Sequence, residues 1–388
     1  MTRTLGVGII GCGNISAAYL RLAPMFRGIE MRACADLNPL AAEARAKEFG
    51  VAAQTIDALL KNDAIDIVVN LTVPAAHFAV TKQILLAGKH AFSEKPLVLS
   101  LAEGLELKAL ANARGLKVGC APDTFLGGAH QLARREIDNG SIGQITSGTC
   151  HVMSHGMEHW HPNPDFFFRP GGGPILDLGP YYIANLVNLI GPVKRVGALT
   201  SMATPTRMIS SEPRQGEVIA VETPTTIHAL LEFEQGATIT LSASWDVWAH
   251  RHANMELYGT KGSLYVPDPN FFGGEVLLAE QREEAKPVQG WAHPFAIPNE
   301  QHPTGMMANY RTAGLADMAA AINEGRDMRC SLERALHGVD VMLSILKSGE
   351  EKRFIDIETQ CTRPDACGID AATALLRETA AIDQQAAS

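Results

Sequence analysis

An acid and a phenol four residues apart, in a segment opened by glycines, are the first chemistry this sequence offers. Residues 171–182 read Gly-Gly-Gly-Pro-Ile-Leu-Asp-Leu-Gly-Pro-Tyr-Tyr and run into the apolar stretch Ile183–Ile190. On a helix Asp177 and Tyr181 share one face, a pairing suited to proton transfer. A capping Asp beside a packed Tyr is the bland alternative for the same spacing. Gly179 leaves room for a close neighbour. A second candidate is Glu94-Lys95-Pro96, at the end of a short predicted strand. Pro96 biases Lys95 toward an extended backbone. A Lys aimed into a cleft there would hydrogen-bond a substrate hydroxyl, whereas an ordinary surface loop would leave it solvated.

A third cluster suggests the redox partner. Gly11-x-Gly13-x-x-Ser16 lies between a predicted strand and a predicted helix. Gly11 permits a tight turn, Gly13 lets backbone approach a pyrophosphate, and the third position needs only a small residue. The helix N-terminus, at Asn14 and Ile15, offers free N–H groups and partial positive charge to phosphates. Asp36, at the end of the next predicted strand, can accept from both hydroxyls of an adenosine ribose; a helix N-cap is its alternative role. A 2′-phosphate there would meet a like charge, a repulsion of about 4 kcal/mol at 4 Å and an effective dielectric of 20. Leu37 and Asn38 follow Asp36, with no Arg beside it. NAD is therefore expected over NADP.

The elements that must hold these groups alternate. Strands are predicted at 5–10, 29–35, 65–71, before Glu94, and at 117–121, with a helical pattern through Ala17, Leu20 and Leu22 that stops near Pro24 and helices at about 39–49, 75–87 and 101–114. This is a parallel, doubly wound sheet. After Pro122 the pattern changes to successive strands at 143–153, 193–202, 225–233, 237–247 and 252–258, with helices at about 126–139, 311–324 and 332–347. The expectation is an α/β protein: a Rossmann domain over 1–122, then an α+β domain over 123–388 with a large, mainly antiparallel open sheet. The last eighteen residues are Ala-rich and read as a docked helix or a frayed tail.

Composition limits the partners. The chain has 388 residues, 46% hydrophobic, with a net charge of −9. The acidic balance argues against nucleic acid and anionic membranes, and no apolar run reaches the roughly 18–20 residues of a membrane span. The N-terminus carries no signal-peptide pattern. Seven scattered cysteines suit a reducing, cytoplasmic setting better than a disulfide framework.

Gly11-Cys12-Gly13-Asn14-Ile15, Glu94-Lys95-Pro96 and Gly171-Gly172-Gly173 with Asp177 and Gly179 together resemble the Gfo/Idh/MocA oxidoreductase family. Thr72-Val73-Pro74 with His77 also resembles that family's Thr-x-Pro-x-x-His turn. The resemblance implies cofactor contacts at Thr72, Pro74, His77, Glu94 and Lys95, besides Gly11, Gly13, Asn14, Ile15, Asp36 and Leu37. It implies NAD(P)-dependent oxidation of a sugar or cyclitol hydroxyl, no metal, and an open sheet that often forms an oligomer interface, hence a homodimer or homotetramer. One departure matters. The family usually places His four residues after the Asp, where this chain has Tyr181. A neutral Tyr, with a pKa near 10, is a poor base at neutral pH, but a neighbouring ammonium stabilises its phenolate. One expectation makes Tyr181 the acid/base, tuned by Lys95, with Asp177 orienting the substrate. The other makes Lys95 the acid/base and Tyr181 a binding residue. A second departure, Ala121-Pro122-Asp123-Thr124, carries no substrate contact over.

The run His151, His155, His159, Trp160, His161 invites a metal reading. In a strand, however, four residues separate side chains by about 13 Å. A polar, aromatic substrate pocket of His155, Trp160, His161 and Arg169 is preferred, with Trp160 stacking on a sugar face; a surface loop is the alternative. Trp245, Trp248 and His250 are similar candidates, with sheet packing as their alternative. Phe166-Phe167-Phe168 reads as core or interface. Two other functions remain open: an NAD-dependent glycoside hydrolase using transient oxidation, and a non-catalytic sugar sensor.

Overall fold

The structure is a computed structural model that describes residues 3–303 and 305–377. Leu5–Ile10 form strand β1, with all six residues buried, as a parallel strand between two helical layers requires. It is joined by β2 (Ile29–Ala35), β3 (Ala52–Ala53), β4 (Ile67–Asn70), β5 (His90–Ser93) and β6 (Val118–Cys120). The six pair in parallel in the order β3-β2-β1-β4-β5-β6. The strand order reverses beside β1, and in such sheets ligands sit outside the carboxyl ends of the strands at that point. The crossover helices are α1 (Asn14–Leu22), α2 (Pro39–Phe49), α3 (Ile56–Lys61), α4 (His77–Leu86) and α5 (Leu101–Arg114). Gly50 and Gly115 end α2 and α5 in the left-handed conformation, which costs glycine little. The two-residue β3 and six-residue α3 carry too little periodicity to be read from sequence.

Past α6 (Gly128–Asp138) the chain builds a nine-stranded sheet. Its longer strands are β7 (Ile145–Met153), β8 (Val193–Ser201), β11 (Thr226–Phe233), β12 (Thr238–Ser244), β13 (Met255–Gly259) and β14 (Gly262–Val266). The rest are β15 (Leu277–Glu280), β16 (Lys286–Pro287) and β19 (Ile355–Asp356). Small ribbons lie apart, β9 (Thr206–Met208) with β10 (Val218–Ala220) and β17 (Glu300–His302) with β18 (Gly305–Met307). The sheet order is β16-β15-β14-β13-β7-β12-β11-β8-β19. It is antiparallel throughout except between β7 and β12, whose following loops therefore emerge at the same end.

The helices α7 (Pro174–Asp177), α8 (Gly179–Leu189) and α10 (Leu332–Glu351) cover one face of this sheet. The chain then returns to the first sheet. Helices α9 (Ala313–Glu324) and α11 (Ile369–Leu375) share a buried core with β1, β2 and β4, and the main chain of Cys120 donates to Cys330 at 3.1 Å. Helix α11 docks through Arg27 N–H to Leu375 O at 2.7 Å. The remainder of the Ala-rich end, 378–388, lies outside the described residues. Among the described residues no helix is long and apolar enough to cross a membrane.

Candidate active site

The turn from β1 into α1 is built around Gly11, whose φ is +103°. A Cβ there would lie 2.6 Å from the Leu71 main chain, so only glycine fits. At Gly13 a Cβ would meet nothing within 4 Å; the loop is open on that side. Gly13 is the N-cap of α1 and no side chain caps the helix. The Ser16 N–H donates to Gly13 O at 3.2 Å, while the N–H groups of Asn14 and Ile15, which precede any intrahelical partner, are left for a ligand. Ser16 is buried, and its hydroxyl donates to Gly13 O at 2.6 Å.

Asp36 is half-buried at the end of β2. Its carboxylate accepts from Cys12 N at 2.7 Å and Asn38 N at 2.8 Å, tying the glycine loop to the second strand. The cap of α2 is Asn38, which accepts from Leu40 N at 3.1 Å; Asp36 does not serve as that cap. Leu37 is 91% exposed, an apolar side chain at the rim of the groove. Together the uncapped helix end, the open face at Gly13 and the Asp36 carboxylate fit a dinucleotide, with the first for its pyrophosphate and the last for its adenosine ribose.

At the ends of β4 and β5 the main chain is fixed by buried polar groups. Asn70 Nδ2 donates to His77 O and Thr81 Oγ1, both at 3.0 Å, while its Oδ1 accepts from Thr72 N and Oγ1. The His77 ring is 1% exposed and lies between Pro96 O at 2.6 Å and Thr72 O at 2.9 Å. His77 thus clamps the Thr72–Pro74 turn to the segment after Lys95, through the main chain, and does not face the groove. Glu94 accepts from Tyr19 Oη at 3.1 Å and from Lys95 N at 3.0 Å.

Lys95 brings the proposed proton site together. Its Nζ donates to Asp177 O at 2.7 Å and Asp177 Oδ1 at 2.9 Å, and lies 5.1 Å from the centre of the Tyr181 ring. Burial lowers the Lys95 pKa, but Tyr181, Asp177 and Glu94 outweigh it and hold the ammonium above the ordinary lysine value. The single helix expected over Asp177 and Tyr181 is broken at Leu178, between α7 and α8. Pro180 has no N–H for a bond to the turn before. The two side chains still meet, through Lys95. Tyr182 is separate: its hydroxyl donates to His151 O at 3.0 Å and accepts from Asn254 Nδ2 at 3.1 Å, which fixes α8 on β7.

The glycines of this segment pack against protein. A Cβ on Gly172 would lie 2.5 Å from Phe167 O, and one on Gly179 would lie 3.1 Å from Met342 Sδ on α10. The close neighbour of Gly179 is therefore a helix.

The aromatic candidates divide. Trp245, a sequence candidate for the substrate pocket, is fully buried, edge-on to Phe167 and Phe168; its side chain is core and cannot touch a substrate. Phe168 joins it, while Phe166 is 50% exposed. Trp160 is exposed and edge-on to His161. Arg169 is exposed; its carbonyl accepts from Gly172 N at 2.9 Å, and its side chain makes no hydrogen bond among the described residues. His155 stacks on the exposed Trp248 at 3.3 Å between ring centres. No hydrogen bond or ion pair joins His155, Trp160, His161 or Arg169 to Lys95, Asp177 or Tyr181. Beneath them lies a buried Arg207, paired with Glu158 at 2.6 Å and with Asp246. Among the described residues no three of His, Cys, Asp and Glu converge as metal ligands.

Two groups near the site carry no motif. Arg311 donates to Asn270 Oδ1 at 3.3 Å, and although burial lowers its pKa, Tyr181, Asp123 and Glu94 hold it above the ordinary arginine value. Asp123 is 3% exposed and accepts from Thr312 N and Gly314 N, both at 3.0 Å.

Comparison with known proteins agrees with this geometry. Residues 5–121 match a family profile described as an oxidoreductase family with an NAD-binding Rossmann fold, and residues 130–265 match the GFO/IDH/MocA C-terminal domain. The D-xylose dehydrogenase of Paenarthrobacter nicotinovorans is 27% identical over 325 residues, covering 78% of this chain and 80% of that protein. Among solved structures, an NAD-binding oxidoreductase from Klebsiella pneumoniae superposes with a TM-score of 0.77 at 22% identity, covering 92% of this chain and 99% of that one. A levoglucosan dehydrogenase complexed with NADH superposes with a TM-score of 0.75, also at 22% identity and covering 92% and 99%. The chain belongs to the Gfo/Idh/MocA family and is an NAD(P)-dependent oxidoreductase with an NAD-binding Rossmann domain.

Proposed function

We propose that this oxidoreductase is an NAD-dependent dehydrogenase that oxidises a hydroxyl of a sugar, sugar derivative or cyclitol. The observation that carries the reading is the Lys95 ammonium held between the Asp177 carboxylate and the Tyr181 ring, at the carboxyl end of β5. NAD, bound along Gly11, Gly13, Asn14, Ile15 and Asp36, supplies the hydride acceptor. Acting as a base in its phenolate form, Tyr181 would take the proton of the substrate hydroxyl as the carbinol C–H bond breaks and its hydride passes to the nicotinamide. A lysine whose pKa is held up keeps its proton at neutral pH, which favours Tyr181 over Lys95 as that base. Two of the three Lys95 donors go to Asp177, and the third is free to position the phenol or the substrate oxygen. Asp177 orients the hydroxyl and holds Lys95 in place. Leu37, Thr72, Pro74 and Glu94 line the cofactor side of the cleft; Trp160, His161, His155 and Arg169 are the substrate-side candidates.

The D-xylose dehydrogenase relative supports an aldose as the first substrate to try. The open sheet face, with Leu199, Leu230 and Phe354 exposed, supports a homodimer or homotetramer, and seven free cysteines support a cytoplasmic setting. The test is an absorbance screen for reduced nicotinamide with NAD+ or NADP+ and a panel of aldoses, inositols, anhydrosugars and glycosides. Reduced cofactor with one sugar or cyclitol class is the expected result. Release of an aglycone without net reduction would replace the dehydrogenase with a hydrolase. Silence despite NAD+ binding would replace it with a sensor.

A further inference from the structure

The Gly13 carbonyl takes more donors than an N-cap needs. It accepts from Ser16 N at 3.2 Å, as the first turn of α1 requires, and from the Ser16 hydroxyl at 2.6 Å. A third donor comes from another element: Arg45, on α2, donates from Nη2 to Gly13 O at 3.2 Å. A carbonyl oxygen has two lone pairs, so three donors saturate it. The Gly13–Asn14 peptide is trans; the cis bonds among the described residues precede Pro96, Pro122 and Pro213. In a planar trans peptide the C=O and the N–H point in opposite directions. Holding Gly13 O therefore also holds the Asn14 N–H, which points outward from the N-terminal end of α1.

Arg45 is held in that position at some cost. Its Nη1 pairs with Glu48 at 2.6 Å, one turn further along α2, and its guanidinium lies 5.9 Å from the centre of the Phe49 ring. Its Nε is buried and has no hydrogen-bond partner among the described residues. A buried donor left unmade costs free energy, which a pair with the exposed Glu48, worth little in itself, does not offset. The start of the same loop is fixed from β2. Gly11 N donates to Ala35 O at 2.9 Å and Cys12 N to Asp36 at 2.7 Å. The second strand thus sets where the glycine loop begins, and α2, through Arg45, sets how it ends.

We propose that Arg45 is a positioning residue for the dinucleotide: by donating to Gly13 O it aligns the Asn14 N–H on the pyrophosphate. A charged donor at the oxygen also polarises the peptide, which makes the N–H at its other end a stronger donor. The guanidinium charge lies at the carbonyl end of that peptide and adds to the positive field that the helix end presents to an anion. The Ser16 hydroxyl holds the same oxygen from within α1, but as a neutral group. The role rests on the NAD-binding Rossmann domain alone and is independent of which group takes the substrate proton.

The test is binding, with no sugar present. The dissociation constant of NADH is read from the change in its fluorescence, and those of ADP and adenosine from their displacement of NADH. Arg45→Met keeps an unbranched apolar stem and removes the charged donor. We expect NADH and ADP to bind about tenfold more weakly, the scale of a hydrogen bond to a charged group. Adenosine, which has no phosphate, should keep its affinity. Arg45→Lys retains a cation that can reach Gly13 O and should recover part of the loss. Glu48→Gln removes the ion pair and leaves the Gly13 bond, so NADH affinity should stay within about twofold. Unchanged NADH binding in Arg45→Met overturns the proposal. An equal loss for ADP and adenosine also overturns it, because Arg45 would then serve only the packing of α2. So does a loss in Glu48→Gln as large as that in Arg45→Met. Should Arg45→Met fail to fold, ADP and adenosine are compared in Arg45→Lys. A smaller loss confined to ADP supports the proposal there; no loss, or one shared with adenosine, overturns it.

Discussion

Replacing Lys95 by Met keeps the length of the side chain and removes its charge, and the structure sets the size of the effect. At about 5 Å, a unit charge opposite a phenolate contributes about 3 kcal/mol at an effective dielectric of 20. The Asp177 carboxylate, 2.9 Å from the missing ammonium, loses its partner as well. Its uncompensated charge pushes the phenol further in the same direction. The rising limb of kcat/KM against pH should therefore move to higher pH. At pH 7 kcat should fall by two to three orders of magnitude, the scale of a lost acid–base contribution. The dissociation constant of NAD+, measured by fluorescence, should change little, because Lys95 makes its direct contacts with Asp177. A Lys95→Met enzyme within fivefold of wild type, with an unmoved pH profile, would refute the reasoning. So would a large loss traced wholly to weaker NAD+ binding.

Three further outcomes rest on the same geometry. Asp36→Ala removes both the ribose acceptor and the anchor of Cys12 N; NAD+ binding should weaken about tenfold, the scale of a charged hydrogen bond, while NADP+ binding improves. Gly11→Ala places a Cβ 2.6 Å from the Leu71 main chain at a φ of +103°; thermal unfolding should show a loss of over about 2 kcal/mol, with NAD+ binding lost. His130 and His293 are buried and their pKa values are pulled down from 6.5 to about 4. The unfolded chain thus binds more protons between pH 6.5 and 4, and stability is lost as the pH falls through that window, on the order of 3 kcal/mol for each group at full effect. Melting temperatures across that range should drop on acidification, and His130→Gln should flatten the drop.

Much of the first sheet is legible from sequence because its physics is local. The six buried residues of β1, the glycine turn and the capped ends of α2 and α5 each announce themselves within a few positions. The same holds for Asp177 and Tyr181, although Pro180 splits the helix that their spacing predicts. The illegible part depends on contacts distant in the chain. The parallel pairing of β7 with β12 sets Ser147 beside Thr238, and nothing in either strand encodes it. Arg311, whose charge Tyr181 helps to hold, comes from a segment 130 positions further along the chain; it carries no motif, so sequence reasoning passes over it. Thr312 beside it, strained at a φ of +100°, is equally invisible. Trp245 is misplaced by sequence reasoning because a tryptophan at a strand end looks the same whether it faces a ligand or Phe168. His77 sits in a recognisable turn, but only the fold shows that its ring is spent on two carbonyls.

The most direct test of the central claim is Tyr181→Phe, compared with wild type for turnover and for NAD+ affinity. Tyr181 is 9% exposed, so the change removes one oxygen and little packing. The account predicts that turnover falls by two orders of magnitude or more while the NAD+ dissociation constant stays within about twofold. Near-normal turnover would contradict it and return the proton to another group.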